Sequence, residues 1–156
     1  MPEIDKGKKE LTITRIFDAP RELVFKAWTT PRLVTQWWSP AVFTIPVCEL
    51  DVRPGGAILI HMRAPDGTIL PMKGAYREVV EPERLVFTAG ALEDENGDFQ
   101  LESLDTVTFS EQDGKTKLTL HVEVITATPT AQGALAGMEA GWNQSLDKLV
   151  GALEKA

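Results

Sequence analysis

The sequence predicts an α+β fold: a curved antiparallel sheet of six to seven strands wrapped around a long carboxy-terminal helix, with two short helices between strands one and two. Three observations point there. Between Thr130 and Lys155, Leu135, Met138, Trp142, Leu146, Leu149 and Leu153 recur at steps of three and four, which puts them on one side of a helix. At about 100° per residue the stripe is narrower than ~100°, the geometry of a helix held along one side. Upstream, short runs of alternating apolar and polar residues are separated by Pro, Gly, Asn and Asp at turn spacing. Strands joined that tightly form an antiparallel meander, and a sheet with one apolar face needs the helix to cover it.

The elements follow in order. Met1 to Lys9 is polar and reads as a flexible tail, which leaves residues 10–156 as a single domain. Leu11, Ile13 and the stretch to Phe17 alternate with Thr12 and Thr14 as a first strand. Asp18-Ala19-Pro20 ends it and opens a helix with Pro20 at the first helical position, where a missing amide is not needed. Leu23, Val24, Ala27 and Trp28 give that helix its apolar face. Thr30-Pro31 repeats the punctuation, and Leu33, Val34, Trp37 and Trp38 make a second short helix that stops at Ser39-Pro40. Phe43 to Val52 is strand-like and ends at Arg53-Pro54-Gly55-Gly56. Ile58, Ile60 and Met62 then alternate with Leu59, His61 and Arg63, and Pro65-Asp66-Gly67 makes a tight reversal. Ile69 to Val80 follows, with Met72, Gly74, Tyr76 and Glu78 on one face. Glu81-Pro82-Glu83 turns into Leu85 to Thr88, and the acidic segment Glu93 to Glu102 reads as an exposed loop or the tip of a long hairpin. Thr106 to Phe109 and Lys117 to Val124 form the last hairpin around Asp113-Gly114, and Thr126 to Pro129 leads into the final helix.

Composition narrows the function classes. At 156 residues the chain is the size of one domain and can bury a sizeable core. Acidic residues outnumber basic ones, 23 to 16, and the net charge of −7 disfavours nucleic acid and anionic membranes, which attract basic surfaces. No apolar run approaches the roughly 20 residues that span a bilayer, so no membrane insertion is expected. The start lacks the apolar core of a secretory signal, and a cytoplasmic location is the expectation. Cys48 stands alone, so neither an internal disulfide nor a cysteine metal site is expected.

The catalytic inventory is thin. His61 and His121 take the strand parity opposite to the apolar residues, without the spacing of a metal site. Cys48 reads as a small packed hydrophobe, and Ser39 and Ser145 lack a nucleophile-elbow context. Glu78, Glu102 and Glu123 could place a carboxylate in a pocket, but read more readily as solvated strand edges. No catalytic residue, metal or cofactor is therefore assigned. Side-chain parity instead points to a binding surface. With Met138 and Trp142 facing the sheet, the opposed inner positions are Ile58, Ile60, Met62, Met72, Tyr76, Phe87 and Val107, and Trp38 and Phe43 close the end near the short helices. Sulfur and aromatic groups adapt to ligands of varied shape, although the same residues could simply be core. The Tyr76 hydroxyl either bonds a core carbonyl or is offered to a ligand. Gly133, Gly137 and Gly141 recur every fourth residue and each weakens a helix by about 1 kcal/mol relative to alanine. The amino-terminal half of the helix should therefore be weak or bent, either as a gate over the site or because something packs closely there.

The runs FDAPRELVFKAWTTPRLVTQWWSP, DVRPGGAILIHMRAPDG, GAYREVVEPERLVF and GWNQSLDKL resemble the START-like superfamily (SRPBCC), within it the branch named for the activator of heat-shock protein 90 ATPase. The likeness runs from about Leu11 to Leu153, with the motifs in the family's order and spacing. It implies a helix-grip fold with a tunnel between sheet and helix, in which members generally hold small hydrophobic or amphipathic molecules. Some members are cyclases or hydrolases, others deliver lipids, and the branch includes a co-chaperone domain. The matching aromatics are Trp28, Trp37, Trp38, Trp142 and Tyr76. One departure is Ile58, where relatives often carry an aromatic residue, which should leave more room in the cavity. The expected function is thus a small-molecule-binding module. The alternatives are a co-chaperone-like partner of a heat-shock protein 90 type ATPase, or a cyclase- or hydrolase-like enzyme using the same cavity. The co-chaperone carries a further amino-terminal domain, whereas only a short tail precedes Leu11 here. An exposed sheet edge could also pair two chains as a homodimer.

Overall fold

Seven strands form one antiparallel sheet in the computed structural model, which describes residues 10–155. The expected tail, Met1 to Lys9, lies outside the described residues. The strands are β1 (Glu10–Phe17), β2 (Thr44–Leu50), β3 (Ala57–Arg63), β4 (Ile69–Val80), β5 (Arg84–Glu93), β6 (Phe99–Gln112) and β7 (Lys115–Ala127). Their order across the sheet is β1-β7-β6-β5-β4-β3-β2. Only the step from β1 to β2 leaves the meander, and the helices α1 (Arg21–Thr29) and α2 (Pro31–Val34) carry the chain from one edge of the sheet to the other.

Proline chemistry sets both helices, with a shift from expectation. Pro20 lies one residue outside α1 in an extended conformation, where its carbonyl accepts from the amides of Leu23 and Val24. Pro31 does occupy the start of α2. That helix ends at Val34, so Trp37 and Trp38 lie in the turns after it, their amides bonded to the Val34 carbonyl at 3.2 and 3.0 Å. Ser39 precedes Pro40, which disfavours helical backbone and ends the segment.

The sheet bends at β4. A Cβ on Gly74 would lie 1.8 Å from the Thr88 carbonyl oxygen, so only glycine allows the two strands to approach there. The Ala75 amide donates to Thr88 Oγ1 at 3.0 Å, a side-chain bond in place of a ladder bond. The register then shifts between Tyr76 and Glu78. Glu78, expected on the face of Tyr76, is exposed as a result and accepts from Arg84 Nε at 2.8 Å. The acidic segment is the tip of the β5–β6 hairpin, where the Asp94 carboxylate accepts from the amides of Asn96 and Asp98 and from Gln100 Nε2. The final hairpin is longer at both ends than the apolar pattern suggests.

The terminal helix is interrupted. A 3-10 turn at Pro129–Ala131 leads to α3 (Gln132–Ala136), and Gly137 separates it from α4 (Met138–Lys155). Leu146, Leu149 and Leu153 are buried against the sheet side, while Leu135, Met138 and Trp142 are half-buried. A Cβ on Gly133 would meet nothing within 4 Å, and one on Gly137 only carbonyl oxygens of its own helix at 3.7 and 4.0 Å. Close packing within the chain therefore does not require glycine at either position, and their effect is on the helix itself. Amide exchange over residues 131–141 is expected to be faster than over 145–153, and Gly133→Ala to slow it roughly fivefold. Uniform protection along the helix, or no response to the substitution, would exclude a glycine-weakened segment.

Candidate functional site

Four tryptophans converge where α1, the turn after α2 and α4 meet the concave face of the sheet. Trp28 stacks on Trp142 (5.9 Å between ring centres, 19° between planes) and meets the edges of Trp37 and Trp38 at 4.6 and 5.9 Å. Trp38 in turn lies 5.2 Å from Trp142 and 6.0 Å from Phe87 of β5. Hydrogen bonds fix this corner. Trp37 Nε1 donates to the Ala27 carbonyl at 2.9 Å and ties the turn to α1. The Ser39 amide donates to Ser145 Oγ at 3.0 Å, and Lys148 Nζ donates to Ser39 Oγ and the Pro40 carbonyl at 3.0 and 3.1 Å. These contacts fasten the Trp38 turn to α4, and partial burial lowers the Lys148 ammonium below its ordinary pKa.

Against Trp28 and Trp38 lies a shallow pocket of about 270 Å³ counted together with open solvent, with enclosed room for no more than one water molecule. Five of the expected positions line it: Trp38, Ile58, Ile60, Tyr76 and Phe87. Trp28, Val34, Leu50 and Leu85 also line it and were not among those positions. Met72 and Val107 are buried core beside it, and Phe43, Met62 and Met138 are half-buried. Trp142 is half-buried too, and turns inward onto Trp28 and Trp38. In place of an open tunnel the structure has a short pocket roofed by indole rings.

The pocket is apolar except for a few groups. Tyr76 is buried, and that burial, with Cys48 nearby, drives its pKa well up. Trp28 Nε1 is buried and unpartnered among the described residues. The Cys48 thiol is pushed up to about 11, first by burial and then by the Glu49 charge, so it stays protonated and unreactive at neutral pH.

One polar residue of this face was not anticipated. Asp105 of β6 is 1% exposed, set between Phe87 of β5 and Val122 of β7. Ser103 Oγ donates to its Oδ1 at 2.7 Å, yet burial outweighs that bond and pushes the carboxyl up to about 7. Glu78, Glu102 and Glu123, the carboxylates weighed from sequence, are exposed or only half-buried. The signal for Asp105 was parity: counting back by twos from Phe109 and Val107 lands on Asp105 and Ser103.

With that geometry in hand, the family described as "Activator of Hsp90 ATPase homolog 1-like protein" matches residues 18–154. The chain belongs to this family. Among solved structures, a Nitrosomonas europaea protein is 25% identical with a TM-score of 0.78, covering 97% of each chain. A Chromobacterium violaceum protein is 27% identical with a TM-score of 0.77, covering 92% of this chain and 96% of that one. The AHSA1 protein of Silicibacter pomeroyi is 25% identical with a TM-score of 0.77, covering 94% and 98%. No curated protein sequence matches the chain. No helix among the described residues is long and apolar enough to cross a membrane.

Proposed function

We propose that this member of the activator-of-Hsp90-ATPase-homologue family is a binding module for a small hydrophobic or amphipathic molecule held between the sheet and the terminal helix. The observation that carries it is an aromatic-lined pocket in whose wall one buried polar group, the Trp28 indole N–H, lacks a protein partner among the described residues. A buried donor without a partner costs on the order of 1–3 kcal/mol, and an acceptor atom on a ligand would offset that cost. The family's fold supports a ligand-binding role in general terms. Trp38 is the movable roof: it is half-buried, and Trp142, which packs on it from outside the pocket lining, sits on a helix broken just upstream at Gly137. Opening there enlarges the space without disturbing the fully buried Leu146 and Leu149.

The test is native mass spectrometry of the protein purified gently from its own host. An adduct released on denaturation is expected, and Ile58→Phe, which places a ring in the pocket, should reduce its occupancy several-fold. A bare protein mass under gentle conditions, or an adduct indifferent to Ile58→Phe, would overturn the reading.

A further inference from the structure

We propose that Asp105, one strand beyond the Phe87 wall of the pocket and outside its lining, is the polar anchor for a ligand that opens the pocket toward β6, and that it selects amphipathic amines, molecules with a basic nitrogen on an apolar tail, over alcohols and carboxylic acids of the same shape. This rests on the binding-module reading above. Tyr76, Phe87 and Asp105 occupy one row across β4, β5 and β6, so all three project from the concave face. Directly opposed residues have Cβ atoms about 4.5–5.5 Å apart, which places the carboxyl immediately beyond the Phe87 wall. A tail lying under the tryptophans can thus carry its head group past the Phe87 ring to Asp105.

The surroundings decide which head group fits. The one hydrogen bond to the Asp105 carboxyl among the described residues comes from Ser103, on its own strand. Its neighbours on the adjoining strands, Phe87 and Val122, are apolar. The cations that approach the interior are directed elsewhere: Arg15 to Asp147 at 3.0 Å and to Asn143, Lys148 to Ser39 and Pro40, and Arg21 to the Phe109 carbonyl at 3.5 Å, its Nε buried without a partner among the described residues. The remaining titratable groups on this side, Tyr76 and Cys48, are neutral at physiological pH. A buried carboxyl without a cation is costly to ionise, and a ligand ammonium would supply the missing partner. Aromatic faces around the tail add cation–π attraction, and the net charge of −7 draws cations toward the protein. A carboxylate ligand meets no basic group in the pocket lining.

Proton linkage follows. An ammonium bound beside Asp105 favours the ionised carboxylate, so amine binding should release close to one proton at about pH 6 and close to none at about pH 8.5.

Decylamine, decanol and decanoate are the probes, followed by tryptophan fluorescence and calorimetry at about pH 7.5. The parent is expected to bind decylamine at least roughly tenfold more tightly than decanol, with decanoate weakest, and Asp105→Asn to bring decylamine down to the decanol level. Equal binding of decylamine and decanol by the parent would overturn the anchor while leaving the pocket standing. An amine preference that survives Asp105→Asn would overturn it too, by assigning the attraction to net charge. Binding of none of the three would remove the pocket reading and the anchor with it. Should the variant not fold, calorimetry of the parent in buffers of different ionisation enthalpy decides: proton release that is the same at both pH values overturns the proposal.

Discussion

Asp105→Asn is expected to stabilise the protein at about pH 8 by a few kcal/mol, and to flatten the decline in stability that the parent shows between about pH 4 and 7. The cause is a carboxyl 1% exposed, between Phe87 and Val122, with a single hydrogen bond from Ser103 to set against the loss of water. Its folded pKa, pushed up to about 7, lies above the ordinary carboxylate value of 3.8. The folded state therefore holds this proton more tightly than the unfolded chain does. Its contribution is whole below the unfolded value, falls as pH rises through the folded value, and is constant above it. Asparagine keeps the shape and an acceptor for Ser103 but carries no charge to desolvate. Asp66 and Asp94, whose carboxylates are held low chiefly by backbone amides of Thr68 and Asp98, act in the opposite direction as pH falls. They do so in parent and variant alike, so the difference between two urea-melt series isolates Asp105. A parent no less stable at about pH 8 than its variant would show that the carboxyl is solvated or paired.

Much of this fold was written in periodicities. The step pattern from Leu135 to Leu153 marked the helix, and Pro65-Asp66-Gly67 and Asp113-Gly114 marked turns that the backbone makes with Gly67 and Asp113 at positive φ. What escaped depends on contacts between distant residues. Glu78 left the face of Tyr76 because the register shifts beside it, a consequence of how β4 meets β5. The pocket residues Trp28, Val34 and Leu50 come from α1, α2 and β2, whose approach to β4 is set by tertiary packing. Asp105 lay inside a strand whose apolar pattern becomes visible only from Val107 onward, because Ser103 and Asp105 are polar residues at inward positions. A strand pattern interrupted by polar residues reads as a loop until its partner strand fixes the register, and here β7 pairs with β6 back to Leu101.

Trp37→Ala is expected to cost about 3–5 kcal/mol, roughly a fifth or more of the stability usual for a domain. Trp37 is fully buried, and its indole does two things at once. It fills the space under Trp28, whose ring centre is 4.6 Å away, and it donates to the Ala27 carbonyl at 2.9 Å. Alanine leaves a cavity and orphans that carbonyl, and the two penalties add because neither can be relieved from solvent. Trp38→Ala is the informative contrast. Trp38 is half-buried at the roof of the pocket, so its loss should cost less than half as much in a urea melt while enlarging the opening to the site. The pair separates a ring that holds α1 against the turn after α2 from a ring that covers the pocket. If the two variants lost the same stability, the tryptophan corner would be one indivisible piece of core, and Trp38 could not move aside for a ligand.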